Sequence, residues 1–91
     1  MAKDPGIGSK ISATVIEVKG HCSAGHQVGN TFELSAHNPS QMCGFFYHDV
    51  FPSLCVLQFG GKFPWWEGDT AFVKCPDPIN TVTVKLERSD R

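Results

Sequence analysis

The alternation of apolar and polar positions divides the chain into four short strands and one helix. Residues 10–19, KISATVIEVK, are rich in β-branched side chains and read as a strand. Ile11 and Val15 fall on one face and Ile16 and Val18 on the other, so this strand is expected to be partly covered on both sides. Residues 20–30, GHCSAGHQVGN, form a glycine-punctuated loop, and TFEL at 31–34 is a second strand with Phe32 and Leu34 on one face. The turn-forming stretch SAHNPSQ follows, with Ser40 expected to cap a helix. Cys43, Phe46, Tyr47, Val50, Leu54 and Leu57 then recur at helical spacing. Pro52 lacks an N–H and clashes with the preceding turn, so it is expected to kink this helix or to start a second short one. TAFVKC at 70–75 and TVTVKLER at 81–88 read as the last two strands. In the second of these Val82, Val84 and Leu86 point inward, and Thr81, Thr83, Lys85 and Glu87 outward.

The order strand, strand, helix, strand, strand predicts a small α+β fold. Its sheet is four-stranded and mostly antiparallel, packed on one kinked helix; a small, partly open barrel is the alternative. Residues 1–9 are expected to be a flexible tail and 10–91 a single domain. A chain of 91 residues buries only somewhat more than about 60 % of the surface its unfolded state exposes. Its core is thin, and scaffolds of this size often rely on a metal, disulfides or oligomerisation.

Composition narrows the partners. Hydrophobic residues make up 41 % of the chain and charged residues 19 %, a globular balance. The net charge is -1, with Lys and Arg scattered, so phosphate neutralisation has no basic patch to draw on and nucleic-acid binding is not expected. The apolar stretch from Phe45 to Phe59 is interrupted by His48, Asp49 and Pro52 and does not suit a bilayer. MAKDPGIGSK has no signal-peptide core. The expected location is therefore cytoplasmic. Thiols stay reduced there, and four cysteines read as metal ligands, reactive thiols or small core residues before they read as disulfides.

Cys22 and His26 share a C-x-x-x-H spacing in which Gly25 lets the backbone fold tightly. Thiolate and imidazole donors suit zinc and other transition metals, but a structural site needs about four ligands. Cys43, Cys55, Cys75, His21, His37 and His48 are the available partners. Cys43 and Cys75 are favoured because each sits at an element boundary, one at the expected helix start and one at a strand end. The resulting set, Cys22, His26, Cys43 and Cys75, is a Cys3His site for zinc or iron. The plainer alternative is a glycine turn around a small buried cysteine.

Cys43 has a second reading. At the third position of a helix capped by Ser40 it would meet free N–H groups that favour a thiolate. With His26 as base, Cys43 or Cys22 would then be a redox or nucleophilic thiol. Packing in the core is the simpler account of Cys43, and also of Cys55. His48 and Asp49 are neighbours on a solvated helix face, and His21 and His37 lie in loops. Trp65 and Trp66, adjacent in a loop with Phe63, suit either core capping or a homo-oligomer contact. No G-x-S-x-G elbow, H-E-x-x-H helix, phosphate loop or deaminase signature is present. CPDP lacks the upstream cysteines of a ferredoxin cluster.

Taken together, VIEVKGHCSAGHQVGNTFEL, LQFGGKFPW and VKCPDPINTVTVKLER resemble a family of small uncharacterised prokaryotic proteins. Its members read as G-x-C-x-x-G-H-x-x-G, then a cysteine before a helix, then F-G-G-x-F-P-W and C-P-D-P. The resemblance spans roughly residues 12 to 88. It implies that Cys22, Gly25, His26, Gly29, Cys43 and Cys75 hold the pattern positions, whereas His48 and Cys55 depart from the pattern. The sequence thus leads to a small cytoplasmic binding or accessory domain with a structural metal site. A thiol-based enzyme and an oligomeric scaffold without chemistry are the alternatives.

Overall fold

The computed structural model describes residues 3–89. The elements are β1 (Lys10–Val18), β2 (Thr31–Leu34), α1 (Gly44–Gln58), β3 (Thr70–Lys74) and β4 (Val82–Ser89). The strands form one open antiparallel sheet in the order β2-β1-β4-β3. This is the α+β architecture expected, and the sheet is not closed into a barrel. None of the described helices is long and apolar enough to cross a membrane.

One face of the sheet carries the core. Ile11, Ala13 and Val15 on β1 stand opposite Arg88, Leu86 and Val84 on β4, and Leu34 and Ala71 bring in the edge strands. α1 lays Phe46, Val50, Leu54 and Leu57 on this face, as the helical spacing predicts. The other face is mainly polar and largely exposed, with ion pairs Lys10–Glu33 and Lys85–Glu87 at its surface, but Thr83, expected to face solvent, is buried there at 6 % exposure. Partial burial of β1 on both faces is therefore not what is found. The register shifts between Val15 and Glu17, and Ile16 is the extra residue, 43 % exposed. A β-bulge reverses the phase of side chains beyond it. Val18 accordingly stands opposite Val82 and packs on the core that Val15 also faces.

The helix is one element rather than two. It runs through Pro52, which is exposed, as is His48, whose carbonyl would have received the missing N–H. Its C-terminus is closed with care. Phe59 N–H donates to Cys55 O, Gly60 N–H to Leu57 O and Gly61 N–H to Val56 O. Arg88 Nη1 crosses from β4 to donate to Leu57 O at 3.0 Å and Gly61 O at 2.8 Å, while its Nη2 pairs with Asp69. These partners satisfy carbonyls that a helix end otherwise leaves open.

Gln58, 1 % exposed, was not singled out by its sequence pattern. Its side chain accepts from Ala36 N–H at 2.8 Å and donates to Ile7 O at 2.9 Å; its carbonyl accepts from Ser9 N–H at 2.7 Å. Ile7 and Ser9, in the segment expected to be flexible, are thus fastened to the helix end; residues 1 and 2 of that segment and 90 and 91 of the domain lie outside the described residues. Gln58→Leu removes a donor and an acceptor while keeping the volume. We expect a loss on the order of 1–3 kcal/mol, read from urea unfolding, with little change of far-ultraviolet circular dichroism.

Candidate functional site

One end of the sheet gathers the chemistry-bearing residues. There β1 ends and β2 begins, β3 ends and β4 begins, and α1 starts. The β1–β2 loop, the approach to α1 and the β3–β4 loop surround a cavity of about 470 Å³. Cys22 and His26 from the first, Cys43 from the second and Cys75 from the third all line it. Its remaining walls are largely apolar, including Phe45, Phe46, Pro76 and Val82.

The β1–β2 loop is built from two turns. Gly25 N–H donates to Cys22 O at 2.9 Å, with Gly25 at φ 84°. Asn30 N–H then donates to Gln27 O at 3.0 Å while Asn30 Oδ1 accepts from Gln27 N–H at 2.8 Å. The loop is stitched to the β3–β4 loop through Asn80, whose Oδ1 accepts from His21 N–H at 2.9 Å. Gly20 lies directly against that amide: its φ is 70°, and a β-carbon there would collide with Asn80 Oδ1. Asp77 shapes the partner loop by accepting from Ile79 N–H and Asn80 N–H at 2.9 and 3.0 Å. These backbone donors hold the Asp77 carboxyl below its usual range.

The approach to α1 differs from the sequence expectation. Ser40 is not the N-cap; Cys43 holds that position, with no side-chain capping bond, and the helix starts at Gly44. Ser40 and Gln41 are both left-handed, at φ 53° and 69°. Asn38 Oδ1 accepts from Ser40 N–H at 2.8 Å and Pro39 O from Met42 N–H at 3.0 Å. Local turn bonds therefore outcompete a helical start at Ser40 and swing Cys43 to the cavity. Left-handed conformations cost L-residues about 1–2 kcal/mol each, and such strain concentrates at functional positions.

His26 links two of the three loops. Its Nε2 accepts from Cys43 N–H at 3.0 Å, and its ring packs edge-on against Phe32 with centroids 5.1 Å apart. The ring is 9 % exposed, and burial lowers its pKa from 6.5. A neutral imidazole has one acceptor nitrogen. As placed, that lone pair is spent on the Cys43 backbone and not on a cysteine sulfur. Cys75 Sγ accepts from Val82 N–H at 3.1 Å and lies 4.0 Å from Asn80 O. Among the described residues, no three His, Cys, Asp or Glu side chains are gathered into a group that could hold an ion as placed.

The other candidates lie elsewhere. Cys55 is half-buried on α1, and burial pushes its thiol up. His48 pairs with Asp49 at 3.2 Å on the solvated helix face. His37 is exposed and turns towards Ser35 Oγ, and His21 is exposed in its loop. Trp66 packs on the core, whereas Trp65 is 73 % exposed and stacks on Phe63 at 4.8 Å. Sequence reasoning missed Asn80 and Asp77 as organisers of the site. The turn-forming composition of PDPIN signalled the loop but not the partner it grips.

Buried His26 resists a proton that the unfolded chain accepts. The stability it contributes is complete above about pH 6.5 and declines as pH falls below that value. The melting temperature is therefore expected to drop between about pH 7 and pH 5. The drop should be smaller in His26→Gln, whose amide oxygen can still accept from Cys43 N–H; equal drops would mean that His26 is not its source.

Comparison with protein-family models, curated proteins and solved structures returns no match, so the site is read from its own geometry.

Proposed function

We propose that the chain is a small cytoplasmic binding or accessory domain that takes up one zinc or iron ion at the cavity between its three loops. The thiolates of Cys22, Cys43 and Cys75 anchor the ion. The observation that carries this reading is that these cysteines and His26, from three separate loops, line one cavity. The chemistry of the donors suits it, because thiolate and imidazole favour zinc and iron over hard cations. The free state of all four cysteines suits a reducing compartment. Uptake of the ion draws the loops together, so binding is coupled to closure and releases thiol protons.

Protein purified without chelator is expected to carry about one equivalent of metal, by analogy with closed thiolate sites. Cys22→Ala and Cys75→Ala should each abolish retention and lower the melting temperature of the loaded form, while Cys55→Ala should leave retention unchanged. Unaltered metal content in both cavity variants would sink the reading. Affinity should also fall at acid pH, where protons compete for the thiolates.

A second reading concerns assembly. Trp65 and Phe72 are both exposed and line one surface hollow beside Lys85. A homo-oligomer built on this patch is expected to lose its association when Trp65 is changed to Ser, as read by sedimentation. A wild-type protein that is monomeric at high micromolar concentration would exclude it.

A further inference from the structure

We propose that two copies of the chain join edge to edge through β3, antiparallel and centred on Phe72, so that their four-stranded sheets become one continuous sheet. This rests on the assembly reading above and gives that contact its geometry. Two hydrogen bonds bracket β3. Arg88 N–H donates to Asp69 O at 3.1 Å, and Cys75 N–H donates to Val82 O at 2.9 Å. The register between them is unbroken, from Thr70 opposite Glu87 to Lys74 opposite Thr83. In an antiparallel ladder, opposed residues alternate between bonded and unbonded pairs. Asp69, Ala71, Val73 and Cys75 are therefore the residues that bond to β4, and the N–H and C=O of Thr70, Phe72 and Lys74 point away from it. β3 is the last strand of the sheet, and no other segment of the described residues bonds to these groups.

The two edges of the sheet are finished differently. Val15 N–H donates to Asn30 O, so by the same parity β2 turns the backbone of Thr31 and Glu33 outward. β2 has only four residues, and Glu33 carries a charge paired with Lys10. A short strand bearing charge is how an edge is kept from pairing. The middle of β3 carries no charge; it carries Phe72, 63 % exposed. A second β3 fits this edge. Centred on Phe72, Thr70, Phe72 and Lys74 each give and take a bond, about six in all. The same register sets Lys74 against Thr70 of the other copy, and Thr70 lines the hollow with Trp65 and Glu67. Glu67 and Lys74 lie towards opposite ends of β3, both are exposed, and among the described residues neither is in an ion pair. The two-fold brings each Lys74 to the carboxylate and indole face offered by the other copy. It also keeps the two Lys74 backbones about 14 Å apart. The pairing consumes the open edge of both copies, leaves the guarded β2 edges outermost, and so closes at a dimer.

The test uses the wild-type chain at high micromolar concentration, half isotope-labelled and half unlabelled. In this register Ala71 of one copy stands opposite Val73 of the other as an unbonded pair, with Cα atoms about 4.5 Å apart. An isotope-filtered NOE spectrum is expected to show an interchain cross-peak between the α-protons of these two residues. Phe72→Glu meets Lys85 within its own chain, a favourable cross-strand pair, but sets two carboxylates against each other at the two-fold. It should weaken association by about 100-fold without lowering the melting temperature of the dilute protein. Phe72→Pro should be folded and monomeric, because the N–H it removes bonds only to the second copy and an edge strand tolerates proline. A dimer that lacks the Ala71–Val73 cross-peak, or either variant associating as tightly as the wild type, overturns this geometry and leaves the assembly reading standing. A wild-type chain that is monomeric at that concentration overturns the assembly reading, and this inference with it.

Discussion

The packing of α1 against a single face of the sheet is the constraint on which the rest of the molecule depends. The helix has fifteen residues, Gly44–Gln58, and is therefore about 22 Å long. Phe46, Val50, Leu54 and Leu57 bury its apolar stripe, and the opposite face of the sheet is largely open to solvent, Thr83 on it being buried. In a chain of this size no second layer is available to share that burial. The strands must all present their apolar side chains to the same helix, and the bulge at Ile16 is how β1 keeps doing so to its end. A straight β1 would turn Val18 away from the core.

The two ends of the helix are finished by different means. At the C-terminus Arg88, Gly60 and Gly61 satisfy the last carbonyls, and Gln58 fastens both the N-terminal segment and the loop after β2. This end is closed by hydrogen bonds. At the N-terminus no side chain caps the helix, and two left-handed residues precede it. Here the approach to α1 takes its support from across the cavity, through the imidazole of His26. Among the described residues, left-handed backbone at non-glycine positions occurs only here, before the end of the helix where the cysteines converge.

Much of this was legible in the sequence because burial has a period. The helical spacing of Phe46, Val50, Leu54 and Leu57 and the alternation of Val82, Val84 and Leu86 identify elements without knowledge of their partners. The convergence of Cys22, His26, Cys43 and Cys75 on one cavity was legible from two signals: the C-x-x-x-H spacing of Cys22 and His26 in the glycine loop, and the places of Cys43 and Cys75 at element boundaries, which fall at the same end of the antiparallel sheet. What periodicity could not supply was any contact made by a polar atom over a long separation. Gln58 reads as a polar residue at a helix end, and Arg88 as the end of a strand; their targets lie 22 and 31 residues away. The start of α1 was misplaced because Ser40 has the chemistry of a cap, while Asn38 and Pro39 bind the same stretch in a turn.

GHCSAGHQVGN is therefore more than a turn between two strands. It is the shared neighbour of the other two loops, held to one by Asn80 and to the other by His26. Gly20 permits the first link, because any side chain there would push the loop off Asn80. The second link needs an acceptor that is neutral and buried, and burial keeps His26 in that state. Cys22 sits between these two anchors. Hydrogen bonds on either side of it therefore tie the three cysteine-bearing segments together. These links across long separations in the chain are how a thin-cored scaffold holds an irregular end in a defined shape.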